Sequence, residues 1–207
     1  MIYEYLVNNF KNGEPIFLNE IPGSSKEVIR QEMKRLTDNK KLVRVYNGVY
    51  YLSYKTMFGT EGKMSIHKYM DKKYLCVDGE ISGFITGYML VNKYGFTTQN
   101  PSVYEICSNA ATTKQRKLFI YGYRMITYKP VVPITKDNIN ELEFLELMSV
   151  IDKYSELKGE EYLTKLKKYV QNKKIDFNLV KKYLPLYPSR VFKNIYEGGL
   201  MINLLWN

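Results

Sequence analysis

The stretch Leu42-Val43-Arg44-Val45-Tyr46-Asn47-Gly48-Val49-Tyr50-Tyr51 constrains this chain more than any other. β-Branched and aromatic residues flank Asn47-Gly48, and a two-residue type I′ turn requires positive φ at both central positions, which Asn and Gly tolerate best. A β-hairpin is therefore predicted here. What precedes it reads as helices. Ile2, Leu6, Val7 and Phe10 fall on one helical face, which Gly13 ends. A short helix is predicted at residues 17–21, broken by Pro22-Gly23. Ser24, with Glu27 three residues on, makes a capping box. It opens a third helix whose Val28, Ile29, Met33 and Leu36 lie within an arc of about 140°. Three short helices followed by a hairpin describe a winged helix over residues 1–55.

Beyond residue 55 the pattern changes. Helices are predicted at 65–73 and at 82–94, the second ended by Gly95. Strands follow at 102–108, 115–121 and 124–128, the last two meeting at Gly122. From Asn138 the chain reads as helical. Ile139, Leu142, Leu145, Met148 and Ile151 line one long amphipathic helix, and Tyr162, Leu163, Leu166 and Tyr169 line another. Two shorter helices are expected before and after the turn marked by Pro185 and Pro188. The fold class is thus α+β. A winged helix at 1–55 precedes a second domain at 56–207, with a small antiparallel sheet and a helical half from about residue 137.

The net charge of +10 favours polyanions, nucleic acid first and anionic membrane second. The surplus is spread along the chain, and abundant Lys, Asn, Ile and Tyr also fit an AT-rich coding bias, so charge alone argues weakly. The longest apolar run, residues 81–91, is broken by Ser82, Gly83, Thr86 and Gly87 and is about half the length of a membrane span. The N-terminus has no basic segment of a signal peptide, so the cytoplasm is the expected compartment and no membrane partner is expected. Two cysteines and one histidine cannot build a standard structural zinc site. Cys76 and Cys107 read as free buried thiols.

Enzyme templates fail. There is no P-loop, no GxGxxG and no GxSxG, and the lone His67 has no nucleophile motif beside it. Asp152 with Glu156 and Lys158 has the makings of a metal-dependent nuclease, but falls where an amphipathic helix carries its wet face. Asp78-Gly79-Glu80 lacks the preceding Gly-Ser of a nucleotidyltransferase. No enzyme activity, cofactor or metal is expected. A catalytic nuclease or nucleotidyl-transferring domain fused to a DNA reader is the alternative in that class. The 20 tyrosines sit mostly beside apolar residues and read as core rather than as a stacking platform.

Within the winged helix, Arg30, Gln31 and Lys34 are the candidates for the major-groove face. Arg pairs bidentately with guanine, Gln with adenine, and Lys serves guanine or phosphate. Ser25 and Lys26, at the helix N-terminus, suit phosphate. Lys40, Lys41, Arg44 and Asn47 would let the hairpin touch backbone or minor groove. The bland alternatives are a solvated helix face, which Glu27 and Asp38 support, and edge protection of the hairpin.

The hairpin, ending in a Gly-x-Tyr pattern, and the segment ISGFITGYMLVNKYGFTTQNPSVYEICSN resemble the AbiEi-type antitoxins, in particular their smaller winged-helix group. The matching residues are Ser82, Gly95, Phe96, Thr97, Thr98, Gln99, Pro101 and Ser108-Asn109, followed by basic Lys114 and Arg116. The likeness covers about residues 1–133. Phe84 and Tyr88 depart from it, standing where the family usually carries Ala. The resemblance implies an autorepressor of its own promoter that opposes a nucleotidyltransferase-like toxin without a stable complex. It also implies Thr98, Gln99, Asn109, Lys114 and Arg116 as antitoxin-site candidates, with RNA as a conceivable target. Turn capping is the plain alternative for Thr98 and Asn109. A regulator whose second domain senses a ligand or dimerises is the alternative without a toxin.

Overall fold

The computed structural model of the chain describes residues 2–23 and 25–205. The fold is α+β, with small sheets and a helical C-terminal half. It divides into two compact units, Met1–Lys73 with Ile120–Tyr123, and Tyr74–Phe119 with Arg124–Asn207.

In the first unit, α1 (Ile2–Asn9) is followed by β1 (Ile16–Phe17), a 3-10 turn (Leu18–Glu20), α2 (Lys26–Asp38) and the strands β2 (Leu42–Tyr46) and β3 (Val49–Leu52). The helix expected at 17–21 is only that 3-10 turn. Ile16 and Phe17 are extended because they pair antiparallel with Tyr50 and Val49, giving a sheet ordered β1-β3-β2. The Glu20 carboxylate accepts from the Phe17 N–H at 2.8 Å, closing the turn. In α2, Ile29, Met33 and Leu36 are buried as expected, packing with Leu6, Ile16, Ile21, Leu42 and Leu52. Val28 is instead exposed, on the edge of the apolar stripe beside an open groove shared with Gln31 and Arg35. The capping box expected at Ser24 lies outside the described residues. The helix is capped by Ser25, whose Oγ accepts from the Val28 N–H at 3.5 Å.

The Asn47-Gly48 turn joins β2 and β3 as expected, but only Gly48 has positive φ, 72°. The turn is therefore not type I′. Its geometry is accommodated by a register irregularity between Arg44 and Tyr46. The unit continues through a tight turn over residues 55–61 into α3 (Ile66–Met70) and the first part of a π-helical turn (Asp71–Leu75), whose last two residues belong to the second unit. Ser65 N–H donates to the Gly13 carbonyl at 2.9 Å. Lys72 reaches Glu20 at 2.8 Å and Glu14 at 3.5 Å.

The second unit opens with the hairpin β4 (Cys76–Val77) and β5 (Glu80–Ile81), whose Asp78 and Gly79 both take positive φ. β6 (Gly83–Ile85) and α4 (Gly87–Lys93) replace the single helix expected over 82–94. Gly83 explains the change. A Cβ there would collide with the carbonyl oxygens of Tyr74 and Cys107, so this backbone is wedged into a sheet, beside Ser108. β7 (Val103–Ser108), β8 (Gln115–Ile120) and β9 (Tyr123–Tyr128) complete a sheet ordered β6-β7-β9-β8. The β6–β7 pair is antiparallel, but β7 and β9 run parallel, so this sheet is mixed rather than wholly antiparallel. α5 (Ile139–Tyr154), α6 (Gly159–Lys173), α7 (Phe177–Tyr183), α8 (Ser189–Glu197) and α9 (Met201–Leu205) follow. Their core includes Phe144, Leu147, Met148, Ile151, Leu166 and Val180 with Leu90 and Phe96.

Candidate nucleic-acid interface

In the first unit α2 and the β2–β3 turn converge on one shallow concavity of about 300 Å³. Lys26, Ile29 and Arg30 come from the helix, Asn47, Gly48 and Val49 from the hairpin, and Phe17, Leu18 and Asn19 from the segment between. Lys73, which sequence reasoning missed, stands at the same rim with its ammonium 5.3 Å from the Phe17 ring. Arg44 donates to the Asn47 Oδ1 at 2.8 Å, so these two hairpin residues hold each other at the strand end. Arg30 lies 3.8 Å from Glu27, with both side chains more than half exposed. Such a pair contributes little and separates easily.

Gln31 does not share this concavity. It lines a second, wider groove with Val28, Glu32 and Arg35. Arg35 grips Glu32 through two hydrogen bonds of 2.9 and 2.6 Å, leaving it committed within its own helix. Lys34 stands exposed on the outer arc of α2. At the helix end, Lys40 adopts φ 58° and its N–H donates to the Thr37 carbonyl. The Lys41 ammonium lies 4.3 Å from the Tyr3 ring centre, turned toward α1 rather than toward the hairpin tip.

The five candidates of the second unit do not form one cluster. Thr98 donates to Glu156 Oε2 through its N–H at 2.7 Å and its hydroxyl at 3.1 Å, and Gln99 Nε2 donates to Glu156 Oε1 at 2.8 Å. Those bonds, the Thr98 N–H first, hold the Glu156 carboxyl below its usual range. Glu156 therefore clamps a loop, and the fragment Asp152–Glu156–Lys158 is not gathered into a metal site. No cluster of three potential metal ligands occurs among the described residues. Asn109 is also structural in its contacts. Its Nδ2 donates to the Ile134 carbonyl at 2.8 Å and its Oδ1 accepts from the Ile134 N–H at 2.9 Å.

Lys114 lines a concavity of about 570 Å³ with Lys129, Gln115, Tyr128 and the carboxylates Glu105 and Glu146. Tyr128 donates to Glu105 at 2.9 Å and Thr86 to Glu146 at 3.0 Å. Burial, with the Glu105 charge added, raises the Glu146 carboxyl above the usual range despite the Thr86 bond. Arg116 is exposed on the edge strand β8. Of the two free cysteines, Cys107 is buried as expected, whereas Cys76 is exposed. No helix among the described residues is long and apolar enough to cross a membrane.

With family models and with curated proteins alike, comparison of the whole sequence gives no match.

Proposed function

We propose that residues 1–55 form a winged helix that reads double-stranded DNA, and that the protein is a cytoplasmic autorepressor at its own promoter. We further propose that it acts as an antitoxin against a nucleotidyltransferase-like toxin, without a stable complex between them. The observation that carries the DNA-binding part is the convergence of Lys26 and Arg30 of α2 with Asn47 and Gly48 of the hairpin on one open concavity, with Lys73 beside them. A recognition helix and a wing approach a duplex from adjacent sides, so cations shared between them suit a phosphate backbone passing over both. Ile29 lies buried beneath these cations, so the polar ends are borne on a firm apolar floor.

The antitoxin part rests on the resemblance over residues 1–133. With Thr98, Gln99 and Asn109 engaged in internal hydrogen bonds, Lys114 and Arg116 are the residues of that set available to meet an acidic target. The test of the first part is binding of the full chain to a fluorescent promoter fragment from upstream of its own gene. The test of the second is rescue of a host expressing the neighbouring toxin from an independent promoter. Loss of rescue in a Lys114→Ala, Arg116→Ala double variant supports the assignment, and full rescue removes it.

A further inference from the structure

A concavity of about 340 Å³ in the second unit is lined by Tyr94, Lys165, Lys168, Tyr169, Asn172 and Lys173. Its volume falls in the range, roughly 300–1,000 Å³, of small-molecule sites. One of its linings is unusual. Tyr169 is only 5% exposed, and its hydroxyl is the one buried side-chain polar atom among the described residues with no hydrogen-bond partner. Almost all buried polar groups are satisfied, because an unmade bond leaves the desolvation cost uncompensated. Packing holds this hydroxyl where it is: the Tyr169 ring meets Tyr94 edge-on at 4.5 Å and stacks with Phe144 at 6.4 Å.

The charges around it are mixed, with cations in excess: the Glu143 and Glu141 carboxylates both act on the Tyr169 phenol, against Lys93, Lys165, Lys168 and Lys173. Both oxygens of Glu143 are taken, by Lys93 at 2.7 Å and Lys173 at 2.8 Å. Burial pushes its carboxyl up, but the Lys93 charge and the bonds from Lys173, Lys93 and Tyr94 outweigh that and hold it ionised below its usual range. Lys165 and Lys168 make no ion pair with any described residue. Gly95, at φ 67°, lets the Lys165 ammonium lie close by, where a Cβ would stand 2.8 Å from it. Two ammonium groups that pair with no described carboxylate, a carboxamide and a buried phenol without a described hydrogen-bond partner line this concavity.

We propose that this concavity binds a phosphate group, free or as the ester of a small molecule. The Tyr169 hydroxyl donates to a phosphate oxygen, Lys165 and Lys168 supply the charge, and Tyr94 offers a ring to whatever the phosphate carries. The site stands independently of the DNA-binding reading.

The experiment is thermal unfolding and calorimetric titration of the full chain with sodium pyrophosphate, against sodium chloride at matched ionic strength. Adenosine 5′-monophosphate in a parallel arm distinguishes an ester from the free anion by its relative affinity. A saturable, pyrophosphate-specific rise in Tm is expected. Tyr169→Phe removes only the hydroxyl. It should weaken pyrophosphate binding about tenfold while leaving the ligand-free Tm unchanged or higher. Lys168→Ala, on an exposed side chain, should weaken binding with no change in ligand-free Tm. Equal shifts from chloride and pyrophosphate would overturn the proposal. So would unaltered binding by Tyr169→Phe, or a fall of several degrees in its ligand-free Tm, which would mean that the hydroxyl serves the fold.

Discussion

Arg30 and Lys26 stand at the same concavity but offer a duplex different things. A guanidinium can pair with two acceptors of one base, whereas an ammonium on a flexible stem serves as a point charge for phosphate. Arg30→Ala should therefore cost about 1–3 kcal/mol on the specific site and little on random DNA. Lys26→Ala and Lys73→Ala should weaken both kinds of binding alike and reduce the salt slope by about one each. Anisotropy titrations on the two DNAs separate the cases. Asn109 calls for a different measurement. It bridges both backbone groups of Ile134, so Asn109→Ala should lower unfolding stability by about 1–3 kcal/mol in urea, by leaving those groups unpaired. Glu146 gives a pH signature. Its carboxyl is raised in the fold, so the buried charge is disfavoured above that raised value and absent below the ordinary glutamate range. Glu146→Gln keeps an acceptor for Thr86 and should raise Tm at neutral pH, with the gain fading as pH falls to about 4. A gain that grew toward acid would reverse the assignment.

At the scale of elements, what was legible in the sequence was whatever carries its own period. α5 and α6 were visible because apolar residues recur at helical spacing over 16 and 15 residues. The β2–β3 hairpin was visible because its turn residues and strand residues are adjacent. β1 and β6 have two and three residues, too few for a period, and become strands only by pairing with β3 and β7. Sequence alone gave no sight of those partners. Asp78-Gly79 carries a hairpin signal that went unread, and it takes positive φ at both positions. The candidate interface was legible in the same measure. Lys26, Arg30 and Asn47 lie on recognisable elements, while Lys73 arrives through a π-helical turn that no short pattern announces. Gly83 tests the strand assignment. Gly83→Ala should destabilise the second unit by about 1–3 kcal/mol, because its methyl meets backbone carbonyls that cannot yield cheaply. A neutral outcome in urea unfolding would place that segment elsewhere.

For the whole molecule, the +10 charge sets the background against which any specific contact must be read. A chain this basic attracts any polyanion at low salt, so retention on DNA is uninformative by itself. What distinguishes a reader is a difference between sequences that persists as salt rises. The proposed interface gathers Lys26, Arg30 and Lys73 at one concavity, with Lys34 on the outer arc of α2, and each phosphate contact releases condensed counterions. The most direct measurement is therefore the affinity of the full chain for its promoter fragment and for a scrambled duplex of equal length, from 50 to about 200 mM salt. The expected result is a steep fall for both, with the promoter bound at least about a hundredfold more tightly at the higher salt. Equal affinity for the two duplexes across that range would contradict DNA reading by this chain.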